Sequence, residues 1–282
     1  MHNYIFLLPL YNDWESCSVL VDKINFQMKK LNKKCEILII DDCSNSMQTN
    51  FLSFSNITKI DVLSLRKNLG SQKAISIGLQ YLYKIEKKMI ITILDSDGED
   101  DANKIPDMIK NAEIEEDKVI VSTRTKRQEN ILFKLLYFIH KMITFLFSLN
   151  WISYGNYSSF HSDQLKKILS QKSSWLAFSA CVAKNCNIKK VKAERKKRLD
   201  GISKLSFLGL IFHSLRVNTV FIARAMILSI FYILILFLFF NLGYFFCIFF
   251  IFAIIVYNLL LTITFFLNNQ KSFTNSIDLI KK

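Results

Sequence analysis

The sequence predicts an α/β protein with a mostly parallel sheet in its first half and a hairpin of two apolar helices near its C-terminus. Three observations carry this. Short β-type runs alternate with helical segments, two of those runs end in carboxylates, and no charged residue occurs between Arg224 and Lys271.

Strands are expected at 4–8, 36–40, 59–63, 89–94 and 118–121, separated by helices near 14–30, 70–86 and 103–113. Such alternation implies that ligands bind at the carboxyl ends of the strands. Residues 1–10 lack a basic leader and a cleavage site and read as a strand, so this domain is expected to stay cytosolic.

Residues 131–149 could span a bilayer by length. However, Lys134, Tyr137, Lys141, Thr144 and Ser148 recur at spacings of three and four, which draws a polar stripe along an apolar helix and suits a helix lying in the interface. Residues 204–217 (KLSFLGLIFHSLRV) are a second such candidate. At about 1.5 Å per residue, the uncharged stretch after Arg224 covers roughly twice the ~30 Å hydrocarbon core. It should cross twice, turning at Asn241, Leu242 and Gly243. Arg216 and Arg224 precede it, and Lys271, Lys281 and Lys282 follow it, so both ends are expected on the cytoplasmic side.

The expected organisation is an α/β core at 1–128, a segment with interfacial helices and a basic loop at 129–218, membrane helices at 219–268 and a cytoplasmic tail at 269–282. The composition agrees: 51% of the 282 residues are apolar, 25 are Phe, and the formal charge is +14. Grease combined with basic charge points to a membrane surface rather than nucleic acid. The six cysteines form no CxxC pair, so neither a disulfide framework nor a zinc site is indicated.

The run MIITIL at 89–94 ends directly in Asp95, Ser96, Asp97, Gly98, Glu99, Asp100 and Asp101. Carboxylates concentrated at one strand end suit a divalent cation bridging a diphosphate, with Asp95 and Asp97 as a short clasp. Asp101 reads as helix-dipole partner; Glu99 and Asp100 fit either role. Asp41 and Asp42 close the run EILII in the same way, where short acceptor-only side chains suit a ribose or base.

In order and spacing, LLPLYND (7–13), IIDDCSNS (39–46), RKNLGSQKAISIGL (66–79), LDSDGEDD (94–101) and STRTKR (122–127) resemble glycosyltransferase family 2. The resemblance is to its membrane-anchored branch of dolichyl-phosphate mannose synthases and bacterial polyprenyl-phosphate glucosyltransferases. It is specific over about residues 3–130, looser at GNYSSF (155–160) and RLDGISK (198–204), and for the terminal helices one of kind only. It implies a GT-A, Rossmann-like fold binding a UDP- or GDP-linked sugar with Mg²⁺ or Mn²⁺. Pro9, Tyr11 and Asn12 would line the base pocket, Asp41 and Asp42 would hold the nucleoside, and Asn68, Gly70 and Lys73 would form a nucleotide-side loop. Asp95, Asp97 and Glu99 would carry the metal. The acidic GEDD departs from the family's usual Leu-Gln-x-Pro, placing Glu99 where a Gln ligand often lies and bearing on metal stoichiometry.

An acceptor hydroxyl would need a carboxylate base. Yet no Asp or Glu lies between Asp163 and Glu194, and the QxxRW mark of processive synthases is missing. A phosphate monoester needs no base but does need cations. Lys189, Lys190, Lys192, Arg195, Lys196, Lys197, Arg198 and Lys204 supply them, with Arg124 and Arg127 after the fifth strand. By resemblance, Arg198, Ser203 and Lys204 would touch the acceptor phosphate. The expected reaction is inverting transfer of a sugar to polyprenyl phosphate at the cytosolic face. Its rivals are transfer to another membrane glycolipid or lipid-linked saccharide, and a non-catalytic scaffold retaining nucleotide binding. Homo-oligomerisation stays open.

Overall fold

The structure, a computed structural model, describes residues 3–45, 51, 53–124, 131–194, 196, 198 and 207–281. The chain forms two compact units, one built from 1–128, 153–204 and 270–282, the other from 129–152 and 205–269. The stretch 129–218, read from sequence as one piece, is therefore divided between them.

In the first unit, every strand and helix expected in residues 4–121 is present. The order is β1 (Asn3–Leu10), α1 (Trp14–Lys30), β2 (Cys35–Asp41), β3 (Ile57–Ser64), α2 (Ser71–Lys84), β4 (Met89–Ile93), α3 (Ile105–Ile114) and β5 (Lys118–Arg124). After α4 (Ile131–Ser148), which belongs to the other unit, come β6 (Tyr154–His161), the short helices α5 (Leu165–Leu169), α6 (Ser173–Leu176) and α7 (Phe178–Asn185), and β7 (Asn187–Ala193).

The strands form one sheet in the order β3-β2-β1-β4-β6-β5-β7. Four of its six ladders are parallel, and β6 runs antiparallel to both neighbours. The central strands are continuous apolar runs because helices cover both faces. Phe6, Leu8, Leu10, Ile37 and Ile39 join one core cluster with Trp14, Leu20 and Ile24 of α1 and Ile105 and Met108 of α3. Leu7 and Ile40, of opposite parity, meet α2 on the other face.

The approach on that second face is close. A Cβ built at Gly78 would lie 2.5 Å from Leu7 Cδ1 and 3.0 Å from Ile40 Cγ1, and both side chains are fully buried. Gly78→Ala is accordingly expected to destabilise the chain by about 1–3 kcal/mol, measured as a lower thermal unfolding midpoint.

The C-terminal residues also belong to this unit instead of trailing from it. After α11 (Gln270–Thr274) and a 3₁₀ turn at Ser276–Leu279, Ile280 forms an antiparallel bridge with Leu65 at the end of β3.

The second unit contains α4 with α8 (Phe207–Thr219), α9 (Ile222–Leu238) and α10 (Tyr244–Leu267). Among the described residues, α10 alone is long and apolar enough to cross a bilayer by itself. Gly209–Thr219 and α9 reach that measure only together, and they are bent by 90° at their junction. One span is therefore met by α10 alone, and a second only if the bent pair counts as one, because the chain turns at Val220 and Phe221 and leaves α9 17 residues. A 3₁₀ turn at Phe240–Leu242 followed by Gly243 connects α9 to α10, and Asn258 Nδ2 on α10 donates to Ser229 Oγ on α9 at 2.7 Å.

The polar stripe of α4 is partly internal. Thr144 and Ser148 are buried, His140 Nδ1 lies 2.6 Å from Ser214 Oγ, and Arg224 donates to the Ser148 carbonyl. Leu135, Phe138, Ile139, Phe145 and Leu146 are exposed instead. Leu238, Phe245 and Leu267 are also left 82%, 84% and 75% exposed, an apolar surface that water does not favour.

Candidate active site

Parallel pairing carries the chain ends of β1, β2, β3 and β4 to one edge of the sheet. Asp41 is in register with Leu10, Ile93 with Leu7, and the Leu94 amide donates to the Leu7 carbonyl, so the two acidic clusters flank the end of β1. Two strand spacings separate the clusters, roughly 10 Å. Pro9 is buried in β1 beyond its last pair with β4, where a missing N–H breaks no ladder bond. It shapes the strand end from within. Tyr11 and Asn12 are exposed just beyond it. The Asn12 amide donates to Ser44 Oγ and its Oδ1 accepts the Asn45 amide, tying the loops after β1 and β2 together.

Asp41 and Asp42 are both more than nine-tenths buried, and their immediate partners are the chain's own amides. Asp41 Oδ1 accepts from the Ser44 amide at 2.9 Å. Asp42 accepts the Leu69 and Gly70 amides, one on each oxygen, at 2.7 Å. Burial raises the Asp42 pKa and the two amides oppose that shift. Asp42 is therefore the clamp that holds the loop before α2, a role that sequence reasoning did not assign. Within the loop, Asn68 is exposed and Gly70 has φ of +87° and ψ of 154°, a region essentially reserved for glycine. Gly70→Ala is expected to cost about 1–3 kcal/mol through backbone strain, read as a lower unfolding midpoint in the full chain. Lys73, on the first turn of α2, lies 4.8 Å over the Trp175 ring.

On the other side of β1, the Asp95 carboxylate accepts from Asn156 Nδ2 at 3.0 Å. Asn156 Oδ1 accepts from Gln72 Nε2, and Gln72 Oε1 accepts the Phe178 amide. This relay runs from β4 through β6 and α2 to α7 and fixes Asp95. Asn156 and Gln72 were missed as site residues, although the sequence showed them inside GNYSSF and RKNLGSQKAISIGL.

Asp97 accepts the Glu99 amide. Its pKa is pushed up to about 6, first by burial and then by the charges of Asp95 and Glu99, against the pull of Arg198. Carboxylates that crowd Asp97 and raise its pKa are a favourable setting for a cation. Among the described residues, no three His, Cys, Asp or Glu side chains converge as a ready-made cage. The donors still fit Mg²⁺ or Mn²⁺, because such ions bind through one or two carboxylates and complete their shell with phosphate and water.

After β7, Lys196 and Arg198 meet these carboxylates. Arg198 Nη2 lies 2.6 Å from Asp13 Oδ2 and its Nη1 3.5 Å from Asp97 Oδ2. The Lys196 amide donates to the Glu99 carbonyl and its Nζ pairs with Asp101 at 2.8 Å. Asp13 was not singled out by sequence reasoning. Arg124 ends β5, but its side chain lies outside the described residues, as do Arg127, Ser203 and Lys204 altogether.

A mostly parallel sheet with two acidic strand ends on one edge defines a nucleotide-type α/β fold. Comparison with known proteins identifies its family. Residues 6–170 match the model of Glycosyl transferase family 2, and the chain belongs to that family. It is 31% identical over 136 residues to an undecaprenyl-phosphate 4-deoxy-4-formamido-L-arabinose transferase of Pectobacterium atrosepticum, covering 47% of this chain and 40% of that protein. The protein of the same name from Yersinia pestis is 30% identical over 128 residues, 44% of this chain and 38% of its own length. The match therefore spans about two fifths of those relatives. Among solved structures, the fold is similar to that of glucosyl-3-phosphoglycerate synthase from Mycobacterium tuberculosis in complex with Mn²⁺, UDP and phosphoglyceric acid. The TM-score is 0.57 at 12% identity, over 79% of this chain and 78% of that one. At that identity, the likeness establishes the GT-A-type α/β fold alone.

Proposed function

We propose that the chain is an inverting, metal-dependent glycosyltransferase that moves a sugar from a nucleoside diphosphate to polyprenyl phosphate at the cytosolic face of a membrane. The observation that carries this reading is Arg198 held against Asp97, which brings a phosphate-binding cation onto the acidic strand end. In this reading, Asp41, Asp42, Tyr11, Asn12 and the loop through Asn68 and Gly70 form the nucleoside side. Asp95 and Asp97, with Glu99 beside them, hold Mg²⁺ or Mn²⁺, which supplies charge neutralisation to the departing diphosphate. Arg198, with Arg124, Arg127, Ser203 and Lys204, orients the acceptor phosphate. One of its oxygens forms the bond to the anomeric carbon as the bond to the nucleoside diphosphate breaks, and no side chain need remove a proton.

The undecaprenyl-phosphate transfer for which the Pectobacterium and Yersinia relatives are named supports the acceptor class, and the Mn²⁺ and UDP of the mycobacterial neighbour support the donor side. Two membrane spans, formed by α9 and α10, are part of the proposal. Both ends of the apolar stretch 205–269 continue into the first unit, which favours an even number of crossings. The test is to give the purified chain radiolabelled UDP- or GDP-sugars in vesicles with and without undecaprenyl phosphate. The expected product is acid-labile and lipid-soluble and forms only with that acceptor. Equal labelling of mixed lipids lacking it would favour a glycolipid acceptor instead.

A further inference from the structure

The tail at 270–281 packs where the nucleotide-side loop begins. The Lys281 amide donates to the Ser64 carbonyl at 2.8 Å, and the Arg66 amide donates to the Leu279 carbonyl at 2.9 Å. Leu65, between them, is fully buried, and its own amide donates to the Asp41 carbonyl. The chain entering the loop is therefore gripped from both sides, by β2 on one and by the tail on the other. Four residues later the Leu69 and Gly70 amides are fixed by Asp42. The tail also touches the helix that follows: Ser276 Oγ accepts from Gln80 Nε2 of α2 at 2.9 Å. Phe273 stands edge-on to Trp175, with ring centres 6.5 Å apart, and Trp175 carries Lys73 over its ring. Phe273 and Ser276 are both buried. A solvated tail would need none of these contacts.

We propose that residues 270–281 are a positioning element for the nucleotide loop. They hold 66–70 and Lys73 in the shape that receives a nucleoside diphosphate. The inference rests on the proposed donor chemistry, since it concerns the nucleotide side of that site. Phe273, Ser276 and Ile280 act through the loop and touch no reacting atom. A loop that reaches its competent shape only part of the time binds proportionally more weakly. Loosening the tail should therefore raise the Kd for nucleotide without changing acceptor use.

The test measures binding of UDP and of GDP, each with Mn²⁺, by the full chain and by the Phe273→Ala/Ser276→Ala double variant, with Phe273→Leu as the conservative control. If the competent fraction falls to about one tenth, the double variant binds about tenfold more weakly. Phe273→Leu stays within about twofold of wild type on the same scale. The KM for undecaprenyl phosphate and the far-ultraviolet circular dichroism stay unchanged. Equal nucleotide affinity in the double variant overturns the inference and leaves the proposed function standing. Weakened binding accompanied by loss of secondary structure or by an equally raised acceptor KM also overturns it, because the tail would then serve general stability. Failure of the wild-type chain to bind either nucleotide overturns the proposed function itself, and the inference falls with it.

Discussion

Asp97→Asn is expected to reduce sugar transfer at least about a thousandfold, the scale on which charge stabilisation at a reacting diphosphate operates. The substitution keeps the size of the side chain and an oxygen for the Glu99 amide, so local geometry is retained while the charge is lost. Burial and the charges of Asp95 and Glu99 push the Asp97 pKa up to about 6, and a cation placed among those oxygens would offset that repulsion and favour the ionised carboxylate. Removing one charge relieves repulsion among the carboxylates when no metal is added, so the variant should then unfold at the same or a higher temperature while turning over far less. Turnover of radiolabelled sugar nucleotide beside a thermal melt checks both halves. A variant that keeps a tenth of wild-type activity would contradict the metal role.

Arg198→Ala is expected to lower kcat/KM by about 10- to 100-fold, the usual range for a hydrogen-bonded charge removed from a partly buried site. The side chain is only 14% exposed and divides its two terminal nitrogens between Asp13 and Asp97. Lysine presents one compact charge and cannot span both carboxylates, so Arg198→Lys should recover only a small part of the loss. Kinetics at varied acceptor concentration separate the roles. An effect confined to the donor KM would assign Arg198 to the diphosphate and remove it from the acceptor.

The parts of the fold that were legible in the sequence are those where one interaction dominates. The runs FLLPL, EILII and MIITIL are apolar without alternation because both faces of the central sheet are covered, and each ends at the edge that carries acidic or loop residues. β6 was not legible. Its Tyr-Gly-Asn-Tyr-Ser-Ser-Phe-His is buried along nearly its whole length, but its polar groups are matched across the sheet, as where Ser159 Oγ lies 2.9 Å from Thr92 Oγ1. Pairing of that kind depends on partners about 67 residues away, which local periodicity does not carry. The docking of the tail escaped for the same reason: only the fold puts Ser276 against Gln80.

The polar stripe on α4 was legible in the sequence, whereas the burial of its Thr144 and Ser148 end was not. Arg224 meets that end at the Ser148 carbonyl, and Ser214 meets His140 one turn before Thr144. Asp42 is the instructive residue of the site. A carboxylate after an early strand suggests a ligand contact, yet here it first secures Leu69 and Gly70, 27 and 28 residues further along. The acidic cluster after β4 was recognisable because so many charges in one short segment have few other uses, while the neutral relay of Asn156 and Gln72 that steadies it gave no such signal.

The most direct test is a titration of Mn²⁺ into the purified full chain, followed by the electron paramagnetic resonance signal of the free ion, with and without UDP or GDP. If the strand-end carboxylates and a diphosphate complete one cation site, the signal should be quenched strongly only when protein and nucleotide are both present, and Asp97→Asn should restore it. Quenching that is indifferent to nucleotide, or unchanged in Asp97→Asn, would contradict the account.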